Sequence, residues 1–413
     1  MKIVLLNDTD GRENIGCRLT SSTLKQQIRT GLCPDTQTVQ LAAFPWLFGK
    51  GRRTNRVWMS GLSAIGFAKA SADRARFVDW LTQLAEQEHG TEAVSATLAA
   101  DLAVFHPEGS ISNYHDAVRI MNLLSLPILA CVKGIPTFTM NGTFPLYPAH
   151  DRRFQMIQAF LHACRFVALR DRITADHYGV TFMPDSAIMH VLTTPAATPA
   201  DSRPYVLVTT GANLSKRANI DMARAALRFC DAHQLKPLVL TKKHKDLKTL
   251  KADVLARGGH FVEQASLVEA EQWLAQCALH IGGRYHMALF GLLLDVPSVL
   301  ILTNTHKNRW LAEEFCGIAL ADSVEDINPV ATRLYSDREP QQDALRQSVL
   351  KAQACFTNGL RQATDVVRDS IPQARQTDRP DTSLCTRIRD TLRVSDFLSF
   401  WPFGIRIRFK RKD

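Results

Sequence analysis

Two α/β domains facing each other across a cleft are what this chain of 413 residues predicts. Three observations carry that expectation. The length exceeds what one hydrophobic core usually serves, so two units of roughly 150 to 200 residues are expected. Short apolar strand-like runs alternate with helical patterns along most of the chain, which implies mostly parallel sheets covered on both faces. The segment LTTPAATPADSRP, residues 192–204, is rich in Pro, Ala and Thr and lacks apolar periodicity, as a linker does. The expected organisation is therefore residues 1–195, residues 196–370 and a tail over residues 371–413.

Each element follows in order. KIVLLN opens as a strand, and a loop leads to a helix near Cys17 to Thr30. A helical segment from Arg74 to Gln87, the strand LAVFH, a helix near Asp116 to Leu124, the strand-like PILACVKG, a helix over Arg153 to Cys164 and the strand FVALRD complete the first unit, with a short strand closed by Asp185. After the linker come YVLVTT, a helix over Asp221 to His233, KPLVLT, a helix near Lys245 to Arg257, HFVE, a helix near Leu267 to Gln276 and ALHIGG. The run HIGGRYHMALFGLLLDVPSVLI, residues 280–301, is too interrupted for a membrane span, which needs about 18 apolar residues. Asp295 and Pro297 divide it into a buried helix from Tyr285 to Leu294 and a strand from Ser298 to Leu302, with Arg284 and His286 in the first helical turn. Helical segments around Pro329 to Tyr335 and Gln341 to Arg368 follow.

Composition narrows the classes. With 46% hydrophobic and 22% charged residues the chain is a globular protein. Lys2, IVLL and the polar NDTDGREN make a poor signal peptide, and nine scattered cysteines (17, 33, 131, 164, 230, 277, 316, 355 and 385) lack zinc-site spacing. A cytoplasmic protein with reduced thiols, no metal and no cofactor is expected. Neither GxxxxGK[ST] nor GxGxxG occurs. The net charge is +10, and residues 371–413 hold ten Arg and Lys against five Asp, so the excess is largely local. There SDFLSFWPFGIRIRFKRKD mixes aromatic and basic side chains in a way that suits an anionic membrane surface, implying peripheral contact at its inner face, or else a packed or disordered extension. No recognition motif for nucleic acid accompanies the charge.

Loops after strand ends are where ligands of such sheets bind. The first, NDTDGRENIGCRLTS, offers Asn14 and Gly16 before a helix start that suits an anion, or is an ordinary strand-to-helix connection. In FHPEGSISNYHD, Glu108 and Ser110 stand where a carboxylate could position or deprotonate a hydroxyl, or cap the next helix. Arg170 ends a strand beside Asp171, with Asp185 further on, and is read as an anion ligand, or as only pairing with Asp171 or Asp185 in a structural network; the two aspartates are read as structural. Arg284 and His286 follow Gly282-Gly283, and TNTHKNRW supplies Lys307, unless it is merely a solvated basic loop.

Taken in order, NDTDGRENIGCRLTS, PEGS, ALRDRITADHYGV with MPDSA, and GGRYHMALFGLLLDVPSVLI with NTHK resemble the polysaccharide pyruvyl transferase family over roughly residues 1 to 350. The resemblance implies a glycosyltransferase-B-like fold of two Rossmann-like domains. It also implies transfer of a pyruvyl group from phosphoenolpyruvate to two hydroxyls of one sugar in a polysaccharide or its lipid-linked precursor, as a ketal. The family's Arg-x-His element falls on Arg284 and His286, and its Arg-Asp on Arg170 and Asp171. A Gly-Asp common in the family stands here as Gly16-Cys17. On this reading His286 is the acid and Glu108 orients the attacking hydroxyl. Arg284, Arg170, Lys307, Asn14, Gly16 and Ser110 bind substrate. The first domain takes the acceptor and the second the donor. The alternatives are a glycosyltransferase with a nucleotide-sugar donor and a non-catalytic glycan- or anion-binding protein.

Overall fold

The computed structural model describes residues 1–32, 38–45, 74–193, 202–211, 214–241, 247–301, 306–374 and 382–391. β1 (Lys2–Leu6) is apolar at successive positions because both faces of its sheet are covered: Ile3 and Leu5 enter one core, Val4 and Leu6 the other. It pairs in parallel with β2 (Gln40–Phe44) and β3 (Leu102–Phe105). With β4 (Thr137–Gly142), β5 (Phe166–Leu169) and β6 (Thr181–Phe182) they form a parallel sheet in the order β2-β1-β3-β4-β5-β6. The second sheet holds β7 (Tyr205–Gly211), β8 (Lys236–Thr241), β9 (His260–Glu263), β10 (Cys277–Gly283), β11 (Ser298–Ile301) and β12 (Ile318–Ala321), all parallel, in the order β12-β11-β10-β7-β8-β9.

The helices of the first lobe are α1 (Ile15–Gln27), α2 (Arg74–His89), α3 (Thr91–Leu98), α4 (Ala117–Val132), α5 (Arg152–Ala163) and α6 (Arg172–Tyr178). Those of the second are α7 (Lys216–His233), α8 (Lys251–Ala256), α9 (Leu267–Leu274), α10 (Tyr285–Leu293), α11 (Lys307–Glu314) and α12 (Ile327–Ser336). Side chains set their starts: Asn14, Asp116, Asp151, Asp171, Ser215 and Ser266 each accept a hydrogen bond from a backbone N–H in the first turn. α13 (Arg338–Ala374) begins on the second lobe, where Leu345 lies over Gly317, and returns to the first, where Gln353 Nε2 donates to Ile188 O and Thr364 Oγ1 to Gly31 O. α14 (Thr382–Thr391) buries Leu384 and Ile388 in the first lobe's core.

The segment PILACVKG is not a strand. It is the second half of α4, which runs through Pro127, and the strand beside β3 is TFTMNG instead. A helix apolar all round shows no period by which to tell it from a buried strand. Pro127 gives up one backbone bond, an interior proline costing about 3 kcal/mol or more, yet the surrounding turns are buried throughout and the helix continues. β2, β12 and α3 were also not anticipated. The aromatic and basic run from Phe397 to Lys412 lies outside the described residues, as do linker residues 194–201. Among the described residues no helix is long and apolar enough to cross a membrane.

The carboxyl ends of the two sheets meet. One core cluster runs through both lobes, joining Leu19 and Leu24 of α1 to Met287 and Ala288 of α10. Polar links span the gap: Arg18 donates to Ala265 O at 2.6 Å, Thr193 N to Glu271 at 2.7 Å, and Thr174 Oγ1 lies 2.7 Å from His306 Nε2.

Candidate active site

Three neighbouring strands of the first lobe end in residues of left-handed backbone: Asn7 (φ 63°) after β1, Glu108 (φ 49°) beyond β3 and Asn141 (φ 62°) in β4. Asparagine tolerates this region, but for glutamate it costs on the order of 1–3 kcal/mol and persists only where surroundings enforce it. Here they do. Asn7 Nδ2 donates to His106 O at 2.7 Å and to Ser110 Oγ at 3.0 Å, while Thr143 N donates to Glu108 O at 2.8 Å. Glu108 is thereby aimed into the gap between the lobes, 7% exposed, with Oε2 3.4 Å from Arg12 Nη1 and Oε1 3.5 Å from the Cys17 thiol. Burial raises its pKa, yet His286, Arg170 and Arg12 together pull it down to about 2.

Arg170, at the end of β5, is fully buried. Its Nε donates to Thr143 Oγ1 at 3.0 Å, its Nη1 to Asp185 Oδ2 at 2.7 Å, and its guanidinium lies over the Tyr285 ring at 4.9 Å. Burial opposes the charge, but Asp185, Tyr285 and Glu108 outweigh it and hold the guanidinium above its ordinary range. Nη2 has no hydrogen-bond partner among the described residues. Such an atom is either a standing cost or a site for an anion. Asp185 is fixed in turn by Thr20 Oγ1 at 2.7 Å and the N–H of Ala187 at 2.9 Å.

From the second lobe, His286 sits in the first turn of α10 with Nε2 3.0 Å from Arg170 Nη1 and 3.2 Å from Asp185 Oδ2. This contact across the lobes depends on Gly16. A Cβ there would stand 2.5 Å from His286 Cβ and 2.6 Å from Nδ1. Gly16, expected to admit a ligand, lies inside α1 and instead admits the imidazole. Its N–H is capped by Asn14 at 3.2 Å.

Lys307, the first residue of α11, is half-buried with Nζ 5.9 Å from the Tyr285 ring centroid. Burial and the neighbouring Arg170 push its ammonium down to about 8, against Glu108 and Asp171. A Cβ on Gly109 would meet Lys307 Nζ at 2.9 Å and Arg170 Nη2 at 3.4 Å, so the bare glycine leaves a small cradle with two cations at its sides and Glu108 next in sequence. His306, next to Lys307, is not merely solvated: its Nε2 is also 3.2 Å from Asp171 Oδ1.

Arg284 does not join this cluster. It is the residue before the first turn of α10, with extended backbone (φ −97°, ψ 105°), and its Nη2 donates to Thr210 Oγ1 at 2.8 Å. With Asn14, Thr209, Thr241 and Gln264 it lines an adjoining cleft. Arg170, His286, Glu108 and Lys307 are therefore brought together, Ser110 is tied to their support by Asn7, and Arg284 and Asn14 stand beside them. Sequence reasoning missed Asn7, Arg12, Cys17, Asn141 and Tyr285. An Asn at the carboxyl end of a buried strand, just after β1 at residue 7 and inside the end of β4 at residue 141, was the available signal.

The family model for Polysaccharide pyruvyl transferase matches residues 14–305. No curated protein sequence matched the chain. Among solved structures, a protein from Listeria monocytogenes assigned as a UDP-N-acetylglucosamine 2-epimerase is similar at 11% identity, over 92% of this chain and 98% of its own, with a TM-score of 0.56. The UDP-GlcNAc 2-epimerase of Neisseria meningitidis, bound to UDP-GlcNAc, gives 10%, 90%, 100% and 0.52. The glycotransferase of kitacinnamycin gives 14%, 90%, 99% and 0.53. At these identities the likeness concerns the fold: two Rossmann-like lobes of the glycosyltransferase-B kind.

Proposed function

This chain belongs to the polysaccharide pyruvyl transferase family, and from that premise we propose that it transfers a pyruvyl group from phosphoenolpyruvate to two hydroxyls of one sugar in a cell-surface glycan or its lipid-linked precursor. The observation that supports this reading is the cradle at Gly109, where Lys307 Nζ and Arg170 Nη2 converge, the latter without a hydrogen-bond partner among the described residues. A small donor carrying a phosphate and a carboxylate suits two such cations, the guanidinium binding in fixed planar geometry.

The reaction begins with a proton added to the methylene carbon of the donor, which leaves a cationic centre at the neighbouring carbon. A sugar hydroxyl attacks that centre and loses its proton. The carbon–oxygen bond to phosphate then breaks, inorganic phosphate departs, and the second hydroxyl closes the ketal, losing its own proton. His286 is assigned the first proton, its Nε2 held by Asp185. Glu108, ionised throughout, steadies the cationic centre and orients the hydroxyl, a role that fits its low basicity better than that of a strong base. Arg284 binds in the adjoining cleft, at the edge of the same gap. The first lobe is taken as the acceptor side, and contact of the basic tail with a membrane would bring the site to a lipid-linked acceptor.

The test is phosphate release from phosphoenolpyruvate that requires a glycan acceptor, with a ketal mass gain on the acceptor and loss of both in His286→Ala. A second reading, transfer from a nucleotide sugar, draws on the ligand of the Neisseria meningitidis structure and on the cleft at Arg284. Stabilisation of the protein by UDP- or GDP-sugars and not by phosphoenolpyruvate would select it.

A further inference from the structure

The loop that carries Glu108 continues to a feature the donor chemistry does not use. Tyr114 is 75% exposed, and Asn113 beside it is also exposed. A single exposed ring on a surface needs no explanation, but this one stands on a turn that is pinned from beneath. Tyr147 Oη donates to Ser112 O at 3.0 Å and lies 3.3 Å from His115 O; Arg153 Nη1 donates to His115 O at 3.2 Å and to Asn113 O at 3.4 Å. Ser112 N donates to His115 Nδ1 at 3.2 Å, and His115 N closes the turn onto Ser112 O at 2.9 Å. Below them the Arg153 guanidinium lies 4.0 Å over the Tyr147 ring. The imidazole of His115 meets the Tyr114 ring edge-on, centroids 4.7 Å apart at 85°.

The turn belongs to the carboxyl edge of the first sheet, where such sheets bind ligands. By chain reach it lies within about 20 Å of Glu108. We infer that Tyr114 is the platform of an acceptor subsite, its ring stacking on the face of a pyranose unit of the glycan while the Asn113 amide serves the hydroxyls at that unit's rim. The side chain of Asn113 is exposed, so its amide is within reach of a ligand. A pyranose presents axial C–H groups on one face and hydroxyls around its edge. The first match the electron-rich face of an aromatic ring, and the second match an amide. Because the turn is already held by five hydrogen bonds, stacking on it orders no loop, and a tyrosine adds contact area at small entropic cost.

This subsite rests on the pyruvyl-transfer reading, so the experiment separates the two. Tyr114→Ala and Tyr114→Trp are compared with the wild type in acceptor-dependent phosphate release, and separately by calorimetry against di- to tetrasaccharides of glucose, galactose, mannose and N-acetylglucosamine. The expected result is an acceptor KM raised about tenfold in Tyr114→Ala, restored in Tyr114→Trp, with the KM for phosphoenolpyruvate serving as internal control. An acceptor KM within twofold of wild type in Tyr114→Ala overturns the subsite and leaves the transfer reading standing. If no turnover of phosphoenolpyruvate occurs, oligosaccharide binding that Tyr114→Ala loses retains the subsite and removes the donor. Absence of both turnover and binding, or binding that Tyr114→Ala keeps, overturns the subsite as well.

Discussion

Gly16→Ala places one methyl group where the structure has room for none. The new Cβ would stand 2.5, 2.6 and 2.8 Å from His286 Cβ, Nδ1 and Cγ, whereas ordinary contact begins at 3.4 Å. Either the imidazole or the start of α1 must yield by about 1 Å, and overpacking of this kind costs about 1–3 kcal/mol. If His286 moves, its contacts of 3.0 Å to Arg170 and 3.2 Å to Asp185 open beyond hydrogen-bond range. Misplacement on that scale lowers turnover about 100-fold. The assay is acceptor-dependent phosphate release, run beside thermal unfolding, with Gly11→Ala as control because nothing lies within 4 Å of a Cβ at Gly11. A Gly16→Ala protein with kcat within threefold of wild type and an unshifted melting temperature would refute the contact between the two lobes on which the site is built.

Three further outcomes follow from the same geometry. The Lys307 ammonium titrates at about 8 because burial depresses it; a bound dianion favours its charged form, so the affinity for phosphoenolpyruvate is full below about pH 8 and falls up to about tenfold per unit above it, a limb that Lys307→Met removes and that a flat Kd from pH 7 to 9.5 would contradict. Arg170→Met strands the buried Asp185 and lowers stability by about 3–5 kcal/mol, whereas Arg170→Met with Asp185→Asn, which removes the stranded charge and keeps an acceptor for Thr20 Oγ1 and the Ala187 N–H, recovers part of the loss without recovering turnover; urea midpoints for the two variants decide it. Glu108 has a depressed pKa of about 2, so its charge and its contribution to stability are present above about 4.5 and are lost only as pH falls toward 2. Glu108→Gln should cut turnover by about 10²- to 10³-fold at any pH from 5 to 9, and a variant as active as wild type would remove Glu108 from the chemistry.

The alternation of strands and helices was legible because a period of two or of 3.6 survives wherever one face of an element is exposed. It failed at PILACVKG, where α4 is buried on all sides and the period vanishes. At strand ends the reading went further: Glu108, Arg170 and His286, each drawn from a separate loop, do converge. Arg284 shows the limit. Whether a residue is the last before a helix or the first within it changes its side-chain direction by about 100°, and no composition signal fixes that boundary. Gly16 shows another: a missing side chain can make room for a ligand or for a neighbouring residue, and the difference exists only once the lobes are packed.

The pairing of Arg170 with His286 also has a temporal meaning. A proton source and a guanidinium contributed by opposite halves of the molecule form one reactive ensemble solely while those halves are together. On the proposed reading, any parting of the halves would disperse the ensemble, so an enol phosphate held in a parted enzyme would meet no assembled acid and would be spared wasteful hydrolysis.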